Sequence, residues 1–210
     1  MVLMALNTID TSQSKLRNTY IAVLIPLGIA INYVGGLIAE VLSLPIYLDS
    51  IGTVIVAVIG GPWVGAISGV LYNIVSSLIG GNVLASLFGL CNLGTALIVG
   101  YLARAGKFKT VTHIVIATIL VALLNAIIGT PIGLVVYGGV DGNASTNLLI
   151  AGLQATGSDL LSAAFIGRLP SQLLDKGIAV VISWLIYWRL PDNLRVLNAS
   201  KSGSESAAAE

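Results

Sequence analysis

A short apolar run, Leu48 to Gly60, closed by Gly60-Gly61-Pro62, constrains the topology of this chain more than any other feature. It lies within LPIYLDSIGTVIVAVIGGPWVG (44–65), after one long apolar segment and before several others. A helix needs about 20 apolar residues to span a bilayer, and this run is shorter. If Leu48 to Leu78 were one long element, the chain would cross five times. Arg104, Lys107 and Lys109 would then lie opposite Lys15 and Arg17. If the chain instead turns at Gly60-Gly61-Pro62 and crosses twice, Lys15, Arg17, Arg104, Lys107, Lys109, Arg189 and Arg195 share one side. Basic residues collect on the cytoplasmic side of membrane proteins, which favours the second count.

The membrane setting follows from composition. Hydrophobic residues make up 56% of the 210-residue chain and charged residues only 9%, against about 25% charged in soluble domains. Such a chain cannot cover itself with polar surface. The expected fold class is all-α: a polytopic bundle of six transmembrane helices with both termini cytoplasmic. The expected spans are Tyr20–Leu42, Leu48–Gly60, Pro62–Leu78, Val83–Ala103, Val111–Val136 and Leu173–Trp188. Residues 1–19 read as an uncleaved cytoplasmic segment, 20–190 as the membrane domain and 191–210, rich in Ser and Ala, as a disordered cytoplasmic tail. Trp63, Trp184 and Trp188 fall near the cytoplasmic interface, where indoles usually sit. The stretch Tyr137 to Ser171 is expected outside, with a moderately apolar helix over Ala144–Ile166.

Several chemistries are missing. A net charge of +1 argues against nucleic-acid binding, and the single Cys91 excludes an intrachain disulfide. Ala105-Gly106-Lys107 lacks the spacing of a phosphate-binding loop. His113 stands alone at the start of the fifth span. No enzyme, cofactor or metal site is expected. No ionisable residue falls at the centre of an expected span, which disfavours a stand-alone ion-coupled transporter.

What remains is polar residues within apolar helices. Asn32, Asn73, Asn92 and Asn125 must face the bundle interior, because an unpartnered amide in lipid is costly. They either bond between helices or line an outward-facing ligand pocket. Asp49 either caps the second span or binds ligand. Tyr33, Tyr72 and Tyr137, with Tyr47, are the aromatic candidates for that pocket. Asp159, Arg168, Asp175 and Lys176 read either as a solvated or headgroup-facing surface or as part of a lid. Gly61, Gly65 and Gly69 form a small-residue ridge suited to close packing. Ala22, Pro26 and Ala30, also four apart, suit packing within the bundle or an outward ridge for a partner protein.

The length, the six spans, the basic loop and the motif LPIYLDSIGT…GGPWVGAISG resemble the substrate-binding S component of energy-coupling factor (ECF) vitamin transporters. The resemblance covers roughly Tyr20 to Pro191. It implies a subunit that captures a vitamin or related micronutrient outside the bacterial plasma membrane. Its partners would be a transmembrane coupling (T) subunit and two cytosolic ATPase subunits, and it would topple to deliver the ligand inward. In the family, small residues spaced by four on the first span contact the coupling subunit. Ala22 and Ala30 match that spacing, with Pro26 departing from it in the middle position. The chain is also similar to the cobalamin-type components of lactic-acid bacteria. Pantothenate, a pyrimidine thiamin precursor and a nucleoside-like compound remain open as ligands, as does a membrane scaffold that binds no small molecule.

Overall fold

The computed structural model describes the backbone of residues 2–139 and 143–190 and the side chains of residues 18–139 and 143–190. The segment expected to form a disordered tail, 191–210, lies outside the described residues. The elements are α1 (Val2–Val41), α2 (Ile51–Gly60), α3 (Pro62–Ile79), a 3-10 turn (Val83–Phe88), α4 (Gly89–Arg104), α5 (Val111–Tyr137), α6 (Ala144–Ala155) and α7 (Leu160–Arg189). No strand occurs among the described residues. Among the described residues, five segments are long and apolar enough to cross a membrane: 18–41 of α1, α3, the 3-10 turn with α4, α5 and α7.

The short second element explains the rest of the packing. At 1.5 Å per residue, the ten residues of α2 rise only about 15 Å, half a bilayer. A helix facing lipid at that length would leave backbone groups unsatisfied. Instead α2 sits at the centre of the bundle, against α1, α3, α4 and α7, and every residue from Gly52 to Gly60 is buried. Its sequence has no polar face, as a helix enclosed on all sides requires. The reversal into α3 uses Gly61 at φ 101°, a conformation suited to glycine, and Pro62 at the first helical position.

The outer faces are apolar. Val23, Leu27, Val34, Ile67, Leu71, Ile116, Ile119, Leu123, Ile127 and Leu185 are exposed, while Asn32, Ser68, Asn92, Thr95 and Asn125 are buried. That distribution is the reverse of a water-soluble domain and matches a lipid-facing bundle. Following the chain, Gly61, the Ala105–Thr110 loop and the end of α7 lie at one end. The Leu42–Ser50, Gly80–Asn82 and Thr156–Asp159 connections lie at the other. Arg104, Lys107, Lys109 and Arg189 share the first end with Trp63, Trp184 and Trp188.

The last span differs from its expected Leu173–Trp188 range. Helix α7 is continuous from Leu160 to Arg189, so the expected helix over Ala144–Ile166 divides between α6 and the start of α7. Arg168, Asp175 and Lys176 are buried in α7 and do not form a solvated or headgroup-facing surface. This also corrects the expectation of spans free of central ionisable residues. The physical reason is that these charges find partners inside the bundle, so they need no water. Asp159 is exposed and serves as the N-cap of α7, accepting from Ser162 N at 3.0 Å. That hydrogen bond holds its carboxyl below the usual range.

Candidate functional site

Helix α2 begins at a junction built from distant residues. Ser50 holds its N-cap position, but its side chain makes no cap. The cap comes from α1: Asn32 Oδ1 accepts from Gly52 N at 2.7 Å and Thr53 N at 3.2 Å, while Asn32 Nδ2 donates to Thr53 Oγ1 at 2.7 Å. These are the amides that an N-cap side chain ordinarily serves. Asn32 is thus fully engaged in holding α1 to α2.

The preceding loop is pinned to α7. Asp175 Oδ1 accepts from Tyr47 N at 3.1 Å and Leu48 N at 2.6 Å. Leu48 has φ 54°, a left-handed conformation unusual for leucine, and the Asp175 bond fixes its amide there. Asp175 Oδ2 faces Lys176 Nζ at 2.6 Å. Lys176 Nζ also donates to Ser50 Oγ at 3.0 Å and lies 3.5 Å from Asp49 Oδ1. Asn143, the N-cap of α6, accepts from Ser145 N at 3.0 Å and donates to Leu44 O at 2.9 Å. Helices α6 and α7 therefore clasp the Leu44–Ser50 segment, and Thr146 Oγ1 meets Ser171 Oγ at 3.0 Å between them.

Above this junction lies a cavity of about 510 Å³. Its rim is formed by Gly80, Asn82, Ala85, Phe88 and Tyr137, and Phe88 stacks on Tyr137 with ring centroids 6.1 Å apart. Deeper walls carry Tyr72 and Asn73 from α3, Asn92 from α4, Asn125 from α5, and Arg168, Gln172 and Lys176 from α7, with Asp49 beside Lys176. Arg168 Nη1 donates to Gly129 O, and its guanidinium occupies the space that a side chain at Gly133 would need. The volume and the mixture of aromatic and convergent polar groups are typical of small-molecule sites.

Of the residues proposed from sequence for ligand contact, Asp49, Tyr72, Asn73, Asn92, Asn125 and Tyr137 line this cavity. Asn32 and Tyr33 are not in its lining: Asn32 is committed to α2, and Tyr33 is half-buried elsewhere on α1. Sequence reasoning missed Gln172 and did not place Arg168 and Lys176 in a pocket. Their four-residue spacing, 168, 172 and 176, was the available signal, since it puts all three on one helical face. Ala22, Pro26 and Ala30 are all exposed on the outer side of α1. Among the described residues no cluster of His, Cys, Asp or Glu could hold a metal.

The family model described as ECF transporter, substrate-specific component, matches residues 19–187. No curated protein and no solved structure gives a significant match to the chain.

Proposed function

Because the chain belongs to the family of substrate-specific components of ECF transporters, we propose that the cavity between α3, α4, α5 and α7 is where it holds its cargo. The chain is a membrane-embedded transport subunit and not an enzyme. Membership in the family implies an ECF module with a transmembrane coupling subunit and ATPase subunits. The observation that carries our reading is a polar cavity of about 510 Å³ within an otherwise apolar bundle, away from the basic end.

The cargo in this reading is a small water-soluble vitamin or related micronutrient, taken from outside the bacterial plasma membrane. Cobalamin, the ligand suggested by overall resemblance, is poorly matched. A corrinoid is several times larger than the molecules that a cavity of 300–1,000 Å³ encloses. Pantothenate, a pyrimidine thiamin precursor or a nucleoside-like compound would fit. A scaffold without a ligand would have no use for a polar cavity into which Gln172 brings an unpartnered amide oxygen, since such a group costs stability unless it is hydrogen-bonded.

Isothermal calorimetry of the purified chain against a panel of water-soluble vitamins tests this reading. Asn92→Leu is expected to weaken the binding of any panel member by roughly tenfold or more, since it removes a polar group from the wall. Unchanged affinity would move the site elsewhere.

The exposed Ala22, Pro26 and Ala30 ridge is proposed as the docking face for the coupling subunit, which works with two cytosolic ATPases. Ala22→Trp or Ala30→Trp should reduce co-purification with the module while leaving ligand affinity intact. Co-purification that survives both changes would remove the ridge from consideration.

A further inference from the structure

The polar groups at the deep end of the cavity are unequal in kind. Asn73 Nδ2 donates to Gly69 O at 2.9 Å, and Asn92 Nδ2 donates to Asp49 O at 3.3 Å. Asn125 Nδ2 donates to both Thr95 Oγ1 and Val121 O at 2.8 Å. Each asparagine thus has a backbone carbonyl as partner. A carbonyl can only accept, so the amide nitrogen must be the atom facing it. Asn125 spends both of its N–H donors on the protein and Asn73 and Asn92 one each, while none of the three carbonyl oxygens meets a protein donor.

Gln172 adds a fourth acceptor. It is only 8% exposed, it lines the cavity, and its Oε1 is buried with no hydrogen-bond partner. Leaving such an atom unsatisfied is costly unless something arrives to meet it. The neighbouring cation cannot serve. Lys176 has three N–H donors, and Asp175 Oδ2, Ser50 Oγ and Asp49 Oδ1 surround them. Two carboxylates face this one ammonium, so the cluster leaves negative charge in excess.

Resting on the reading of this cavity as the cargo site, we infer that the ligand enters with a hydrogen-bond donor leading: an amine, amino-heterocycle or primary-amide nitrogen on a compact polar molecule. Gln172 is the specificity-determining residue. A ligand that buried a carboxylate here would set its charge against the carbonyl oxygens and Asp49, and would leave Gln172 Oε1 unmet. Arg168 stands eight residues, or about 12 Å, up α7 from Lys176. It is positioned for an acceptor at the ligand's outer end.

The test uses the full-length chain in detergent and calorimetry with matched pairs that differ at one group: nicotinamide against nicotinate, and pyridoxamine against 4-pyridoxate. The donor member of a pair is expected to bind about 100-fold more tightly, the effect of roughly two buried hydrogen bonds. Gln172→Leu should weaken that binding about tenfold or more, whereas Gln172→Glu, which keeps an acceptor and adds negative charge, should preserve it. Thermal unfolding of both variants checks that they are folded. If the carboxylate members bind as well or better, and Asn92→Leu abolishes that binding, the inference is overturned while the cavity remains the cargo site. If no member of any pair binds to folded protein, the cavity is not a site for compact heterocycles, and the cargo reading falls together with the inference.

Discussion

Replacing Lys176 with leucine is expected to lower the thermal midpoint of the purified chain by about 10 °C and to eliminate ligand binding. Lys176 is 3% exposed and is surrounded by Asp175, Asp49 and Ser50. Its removal leaves Asp175 fully buried without a counter-charge, beside a second carboxylate. Breaking a buried pair from one side typically costs about 3–5 kcal/mol, and in a domain of this size each kcal/mol moves the midpoint by about 2–4 °C. The effect should reach the binding site because Asp175 Oδ1 also holds the amides of Tyr47 and Leu48. If that anchor shifts, Asp49 leaves the cavity wall. The double variant Lys176→Met with Asp175→Asn removes both charges and should recover much of the stability, since an asparagine oxygen can still accept from Leu48 N. Tryptophan fluorescence on heating provides the measurement. A midpoint unchanged in Lys176→Leu would mean that the ammonium does not compensate these carboxylates.

The same cluster shows why the last span was only partly legible in the sequence. Helix α5 has a mean hydropathy of 2.4 in its most apolar window, and α7 reaches only 1.3. Gln172, Asp175 and Lys176 lower that average, and a hydropathy reading counts each charge as a cost. It cannot see that Lys176 meets three acceptors or that Arg168 meets a backbone carbonyl. The expected span therefore began at Leu173 and left out Arg168 and Gln172, although the helix contains them. Apolar spans with no internal pairs, such as α3 and α5, were readable to within a few residues.

The candidate site divides along a similar line. Asparagines within apolar helices must point inward, and that much follows from sequence alone. Which of them faces another helix and which faces a cavity depends on where α2 starts. Asn32 lies opposite the amides of Gly52 and Thr53, so it became a cap. Asn73, Asn92 and Asn125 line the cavity with each nitrogen already holding a protein acceptor. Spacing along a single helix carries no information about that difference, because it arises from contacts between residues 20 or more positions apart.

Helix α2 itself supplies the other large expected effect. Gly52→Val should yield little folded protein. A Cβ at position 52 would collide with the backbone carbonyl oxygen of Gly28 and would lie 3.0 Å from Asn32 Oδ1. A backbone atom cannot rotate out of the way, so α1 and α2 would have to separate. The reciprocal contact is just as tight: a Cβ at Gly28 would lie 2.6 Å from Val56 Cγ2. Separation breaks the Asn32 cap, and a ten-residue helix without a cap or a close neighbour has too few internal hydrogen bonds to stand alone. Because Asp49 and Ser50 lead directly into α2, they would move away from Lys176 at the same time. Size-exclusion chromatography in detergent should show Gly52→Val as aggregated or absent. Gly152→Ala, on α6, where no atom lies within 4 Å of the added carbon, should elute as the parent does. A monodisperse Gly52→Val protein with parental stability would show that α1 and α2 do not touch through these glycines. The position of Asp49 beneath the cavity would then need another support.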